Sequence, residues 1–290
     1  MQEERVLVLG LGEVGRPLYD ILIESGAFSV FALDSDINKM REAKANVPTG
    51  RVDVMHVCIP CYNREKFVNS ILEYIDKFDP GITIINSTVP PGTTEELNKK
   101  SGRPVAHSPI RGVHKDRDHM KWEIRRWTKY VGGTDDKSTE LASKHFEKLG
   151  LKVKALGSSR ETELAKLFET TYRAWMIACF QEMHRISRYF NADFDQIVDF
   201  LEDTHRVRFD RPPMFPDVIG GHCLIPNTKL LLEVYESEFL RLILKSNEKR
   251  KEEIKREEIR NEVEKIRERV KKLEKDLIKT PKLRKTEENQ

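Results

Sequence analysis

Residues 5–34 read RVLVLGLGEVGRPLYDILIESGAFSVFALD, and the order of signals in them decides the fold. The run at 5–9 has the length and apolar content of a buried parallel strand. Gly10, Gly12 and Gly15 follow at once as GLGEVG, and an amphipathic stretch after them is expected to be helical over 17–25. A second apolar run, at 29–33, ends on Asp34. In such a turn the first glycine permits the tight bend, the second lets a pyrophosphate approach the backbone, and the third allows helix to pack on strand. The phosphate charge then meets a helix N-terminus. A carboxylate at the end of the next strand accepts hydrogen bonds from the adenosine hydroxyls and repels a 2′-phosphate, so NAD is the expected cofactor. No arginine immediately follows Asp34 to reverse this preference.

Working outward, further short runs follow at 52–59, 82–86, 105–107 and 130–131, and the runs end in loop chemistry such as DSD, PCYN, STVPPG and SPIRG. Alternation with amphipathic stretches is the rhythm of βαβ units, and ligands bind such sheets at the strand ends. The expected cofactor residues are therefore Gly10, Gly12, Glu13, Val14, Gly15, Asp34, Pro60, Ser87 and Thr88. From Glu161 to about Tyr189 the pattern becomes helical, with Leu164, Leu167, Phe168, Thr171, Trp175, Ala178 and Ile186 on one repeat. A shorter helix is expected at 193–201, a loop over 205–226, and another helix from near Asn227. The fold class is α/β: a Rossmann-type parallel-sheet domain (1–155), a smaller all-helical domain (156–245) and a charged helical tail (246–290). In the tail, Ile259, Val263, Ile266, Val270, Leu273 and Leu277 alternate by four and three, which is the seam of a coiled coil. The alternative is a single charged helix held by Glu–Lys pairs, ended by Pro281 and followed by disordered residues.

Composition narrows the function. The net charge is +3, and the basic excess lies over 249–285, interleaved with glutamate. Nucleic-acid binding wants a one-signed face, so it is not expected. No apolar run approaches the roughly 20 residues of a membrane span. Four cysteines are few for a secreted scaffold, and the polar start carries no signal peptide, so a cytoplasmic enzyme is expected.

Four segments, in this order, resemble the UDP-glucose/GDP-mannose dehydrogenase superfamily: GLGEVG at Gly10, STVPPGTT over 87–94, ETELAKLFETTYRA from Glu161 and IGGHCLIP around Cys223. The resemblance implies NAD-dependent oxidation of the C6 alcohol of a nucleotide sugar, in two steps, through a cysteine thiohemiacetal. Carried over by position, Cys223 is the nucleophile, Lys166 the ammonium that stabilises the oxyanion, and Thr88 the threonine near the reacting carbon. It also implies a homodimer built on the helix from Glu161. A cysteine beside Gly220, Gly221 and a cation can gain thiolate character, and the glycines leave N–H groups for an oxyanion.

The chain departs from the family at defined places. Ile110 follows Ser108-Pro109 where a glutamate assists thioester hydrolysis, Thr170 stands for an asparagine, and Asn227 stands for an aspartate. The family's C-terminal nucleotide-binding domain is expected to be lacking, as in a divergent short branch. These changes point to an altered reaction that can stop after one hydride transfer. The substrate is expected to be a nucleotide sugar or sugar phosphate, held by Arg111, Arg211, Gly221 and His222, the arginines offering planar forks for phosphate or carboxylate. Two other readings stand beside it: a 3-hydroxyacid-type dehydrogenase using Lys166 alone, and a non-catalytic NAD-binding scaffold or sensor. Cys58 and Cys61 form CIPC without a second ligand pair, so no metal site is expected.

Overall fold

Alternation along the first strand sends Val6 and Val8 to one face of a sheet and Leu7 and Leu9 to the other, and all four are buried. The computed structural model describes residues 3–279. Its first compact unit runs to Phe168 and holds a seven-stranded sheet: β1 (Glu4–Leu9), β2 (Phe28–Leu33), β3 (Val54–Val57), β4 (Ile82–Ile85), β5 (Val105–His107), β6 (Lys129–Gly133) and β7 (Val153–Ala155). The strand order is β2-β1-β3-β4-β5-β6-β7, parallel except for the antiparallel pair β5–β6. The chain leaves β1 for β2 on one side and returns to β3 on the other, so the β1/β3 ends form a topological switch point, the usual place for a ligand.

Six helices connect these strands: α1 (Gly15–Ser25), α2 (Ile37–Ala43), α3 (Arg64–Phe78), α4 (Thr93–Ser101), α5 (Arg117–Arg126) and α6 (Asp136–Lys148). Asp36, Asn63, Asp116 and Asp135 cap α2, α3, α5 and α6 by accepting a backbone N–H. Two apolar clusters, one containing Val6 and Val8 and the other Leu7 and Leu9, fill the two faces of the sheet.

The structure sharpens several expectations. The run at 52–59 narrows to four paired residues, because Val52 and Cys58 bond outside the regular ladder, to Phe78 and Leu9. The run at 130–131 lengthens to five residues, and α5 and β7 had no sequence expectation. Helix α7 (Ser159–Tyr189) begins within the first unit, and the division into units falls inside it at Phe168/Glu169 rather than at 155/156.

The second unit contains the rest of α7 with α8 (Phe194–Arg208), α9 (Leu224–Val234), α10 (Glu238–Glu253) and α11 (Glu257–Lys279). Helix α8 runs seven residues past the expected end at Leu201, and its stop at Phe209 has φ 58° on a non-glycine residue, so no glycine marks it. Helix α9 starts at Leu224, ahead of Asn227, since Pro226 is tolerated in a first turn. The tail is no separate body: α10 crosses 245/246, and Asn247 and Arg250 on it are buried. The apolar stripe Ile259, Val263, Ile266, Val270 and Leu273 is covered within the chain, at 1–3% exposure. Ion pairs from Arg188 to Glu258 and Glu262 and from Arg269 to Asp195, Asp199 and Glu202 flank it. Burial against the chain's own helices accounts for the stripe without a partner strand. The Leu277 side chain, Pro281 and the residues after it lie outside the described residues.

Candidate dinucleotide and substrate site

The turn between β1 and α1 is built as a phosphate cradle. Gly10 has φ 87°, and a Cβ there would press on Ile59 and the Cys58 carbonyl at 2.9 and 3.0 Å. Gly15 has no room for a Cβ either, because the Gly10 carbonyl and the Cys58 side chain pack against it. Above Gly12, by contrast, a Cβ would meet nothing within 4 Å. Helix α1 opens at Val14 with no side-chain cap and no acidic residue in its first turn. Arg16 N and Leu18 N bond the Gly12 and Val14 carbonyls, so what the helix start offers an anion from outside is its dipole and the open turn ahead of it.

Asp34 closes β2 beside this turn. Its Oδ2 accepts from Leu11 N at 2.6 Å and its Oδ1 from Asp36 N at 2.8 Å, and Lys39 Nζ lies 3.8 Å away. A carboxylate oxygen accepts more than one bond, so capacity remains for two ribose hydroxyls. Glu13 is exposed in the turn, 3.6 Å from His114 Nδ1. These features fit a dinucleotide: open space where the pyrophosphate approaches, an uncapped helix and an acid at the ribose position.

The strand ends further along carry the remaining expected residues. Ser87 Oγ donates to Ile59 O at 2.5 Å, tying the loop after β4 to the loop after β3, where Pro60 is exposed. Thr88 beside it is half-buried. His107, on β5, donates from Nε2 to the Ser87 carbonyl at 3.1 Å, and its Nδ1 lies 2.8 Å from Thr162 Oγ1. Burial pushes its pKa down to about 3, opposed by the Ser87 bond and helped by Lys129 and Lys166, so it stays neutral. Cys58 and Cys61 belong to clusters on opposite faces of the sheet, which separates the CIPC thiols. Burial also pushes the Cys58 thiol up to about 12.

Glu163, which no sequence signal singled out, links α7 to the STVPPGTT turn. Its buried carboxylate accepts from Gly92 N at 2.7 Å, Thr94 N at 2.9 Å and Thr94 Oγ1 at 2.6 Å, and so caps α4. Lys166, half-buried, stands one turn further along α7. A glutamate ahead of an apolar helical repeat looks like an ordinary solvent-facing residue, so its role was not legible. Arg111 is fixed by its neighbours: Nη2 donates to Thr128 O at 3.0 Å, and the guanidinium lies 4.9 Å over Trp127 and 5.1 Å over Tyr130.

Within the second unit, Cys223 is the N-cap residue of α9, half-buried, after the exposed Gly220, Gly221 and His222. Gly221 has φ 77° and open space around its Cα. Asn227 and Thr170 are both buried, and Asn227 Nδ2 donates to Thr170 Oγ1 at 3.2 Å. Arg211 forks onto Asp210 at 3.0 and 3.1 Å on an exposed loop.

Residues 160–249 match the UDP-glucose/GDP-mannose dehydrogenase family, central domain. The relatives agree with it. A UDP-N-acetyl-D-mannosamine dehydrogenase of Methanocaldococcus jannaschii is 27% identical over 261 residues, which are 76% of this chain and 60% of that protein. One from Pyrococcus horikoshii is 24% identical, over 84% of this chain and 68% of its own length. This chain thus spans about 60% of the length of the first of these family members. Solved structures show the same fold: a UDP-D-ManNAc dehydrogenase from Pyrococcus horikoshii superposes with TM-score 0.70 at 23% identity, over 84% of this chain and 68% of that one. A 3-hydroxyisobutyrate dehydrogenase of Mycobacterium tuberculosis gives 0.64 at 15% identity, over 87% and 94%. The first unit therefore has a Rossmann-type sheet. Among the described residues no helix is long and apolar enough to cross a membrane.

Proposed function

We propose that the chain is an NAD-dependent dehydrogenase that oxidises an alcohol of a nucleotide sugar, with a UDP-N-acetylhexosamine as the first candidate substrate. The observation that carries this reading is the Glu163 link: the motif that brings Thr88 and the motif that brings Lys166 are joined by three hydrogen bonds to one buried carboxylate. The order of motifs, the central-domain match and the names of the relatives point the same way.

In this reading Gly10, Gly12, Glu13, Val14 and Gly15 hold the pyrophosphate, Asp34 the ribose, and Pro60, Ser87 and Thr88 border the nicotinamide. NAD, when bound, supplies the hydride acceptor. Lys166 donates hydrogen bonds to the alkoxide as it forms, lowering the barrier to hydride loss. Cys223 adds its sulfur to the aldehyde carbon, placed where the N-terminus of α9 favours negative charge. Arg111 and Arg211, with Gly221 and His222, are assigned to the anionic and sugar parts of the substrate. Neither Ile110 nor Asn227 can take a proton from water, so a thioester left by a second hydride transfer has no base to hydrolyse it, and the productive turnover is proposed to be release of the aldehyde after one hydride per substrate.

Turnover of UDP-N-acetylmannosamine with NAD tests this. NADH formation abolished by Lys166→Ala supports it, and no NADH with any nucleotide sugar refutes it. A 3-hydroxyacid-type reaction, using Lys166 alone, is the second reading. It is favoured by the extent of the fold match, which spans 94% of the Mycobacterium enzyme. Full activity in Cys223→Ser on a hydroxyacid would select it. Helix α7 leaves Phe168, Tyr172, Ile186 and Tyr189 more than half exposed, and a homodimer through this helix is proposed. A monomer mass in solution would exclude that.

A further inference from the structure

Lys129, at the head of β6, is buried, and the contacts of its ammonium among the described residues are all to neutral groups. Nζ donates to Ser108 O at 2.6 Å, Pro109 O at 3.2 Å and Asn86 Oδ1 at 3.4 Å, and it lies 4.9 Å over the Phe146 ring. Three acceptors match the three protons of an ammonium. A neutral amine has two protons and turns a lone pair on one of the same oxygens, so the geometry is that of the charged form.

The acceptor on Asn86 cannot turn away. Its Nδ2 donates to Ile84 O at 3.2 Å and to His56 Nδ1 at 3.1 Å. That places the proton of neutral His56 on Nε2, which faces His145 Nε2 at 2.9 Å. His145 then carries its own proton on Nδ1, 2.9 Å from Glu4 Oε1. Every member of this buried chain has one fixed direction of donation, from Lys129 at one end to Glu4 at the other.

The loop that Lys129 holds is clasped by its neighbours as well. Ser108 Oγ donates to Tyr130 O at 2.7 Å, and Arg111 bonds Thr128 O between the Trp127 and Tyr130 rings. Residues 127–130 thus grip residues 108–111 from end to end.

We propose that Lys129 is a positioning residue: its ammonium pins the Ser108–Pro109 carbonyls, so holding Arg111 in place for an anionic group of the substrate, and loss of its proton releases the pin. The Arg111 part rests on the function proposed above; the pin does not. Burial pushes the Lys129 pKa down to about 7, with the Cys58 thiol acting against the shift and Lys166 and Arg111 adding to it. The other ionisable groups around it are Cys58 after β3, His56 on β3, His107 on β5, Arg111 in the loop, Lys166 on α7 and, behind His56, His145 on α6 with Glu4 on β1. Burial holds His56 and His107 neutral and keeps Cys58 protonated near neutral pH. Glu4 is held ionised by its bond to His145.

The test is a pH titration of the full chain by NMR, with 15N in the lysine side chains and backbone amides. Lys129 Nζ and the amides of Ile110 and Gly112 are expected to shift together, with a midpoint near pH 7. Lys129→Arg, charged throughout, should keep the low-pH amide positions up to pH 9, and Lys129→Met should show the high-pH positions from pH 6 upward. A Lys129 that stays charged to pH 9, or titrates while the Ile110 amide stands still, overturns the proposal. The wild-type titration decides this even where a variant does not fold. With UDP-N-acetylmannosamine as the probe, KM should rise roughly fivefold from pH 6 to 8.5 at constant kcat, and not in Lys129→Arg. Absence of all turnover would sink the dehydrogenase reading and leave the spectroscopic result standing.

Discussion

Asn227 Nδ2 donates to Thr170 Oγ1 at 3.2 Å, with both side chains buried. The two positions at which the second unit departs from the family's pattern are therefore bonded to each other. An asparagine cannot accept a proton from an attacking water. We expect one NADH per substrate from the wild type. Asn227→Asp combined with Ile110→Glu should move that ratio towards two, since the Thr170 hydroxyl can turn to donate to a carboxylate. Two NADH per substrate from the unmodified chain would show that neither group is needed.

The Glu163 carboxylate satisfies two backbone N–H groups at the start of α4, and burial raises its pKa despite those bonds. Glu163→Ala leaves them without an acceptor in a buried place and should cost about 3 kcal/mol in urea unfolding, whereas Glu163→Gln, with one acceptor oxygen, should cost about 1 kcal/mol. Equal, small losses for both variants would mean that water replaces the cap.

Gly10 and Gly12 separate folding from binding. Gly12 has open space above it, so Gly12→Val should leave stability within about 0.5 kcal/mol while weakening NAD binding more than about tenfold. Gly10→Ala meets the Cys58 carbonyl at φ 87° and should cost about 2 kcal/mol or more in stability. Unchanged NAD affinity in Gly12→Val would remove the cradle from the cofactor site.

Acid should destabilise the first unit through its neutral histidines. His107 is pushed down to about 3 and His56 well below its ordinary range, both mainly by burial. Below about pH 6.5 the unfolded chain binds protons that the fold excludes, so stability falls as pH drops from there towards 3. Lys129 acts at the other end: its lowered pKa means that the unfolded chain binds the extra proton between about 7 and 10, and stability rises over that window. Urea midpoints across pH should show both limbs. His107→Gln should flatten the acid limb, and Lys129→Met should remove the alkaline rise. An acid limb unchanged in His107→Gln would reassign it to other groups.

Local chemistry alone determined the glycine-rich turn, the acid at Asp34, the parallel sheet and the long helix from Glu161, because each rests on spacing within a few residues and on apolar periodicity. The ends of α8 and α9 were misplaced, since a left-handed stop at Phe209 and a proline in a first turn carry no clear sequence mark. The apolar stripe over 259–273 was visible, but not what covers it; one heptad pattern serves a partner helix or the chain's own helices equally well. Only the tertiary structure decided that Glu163 caps α4, that Thr170 and Asn227 meet, and that Lys129 holds the loop after β5. These contacts join residues 20 to 71 positions apart. A charged or polar side chain reads as surface until the fold buries it, and then its partners, not its neighbours in sequence, define what it does.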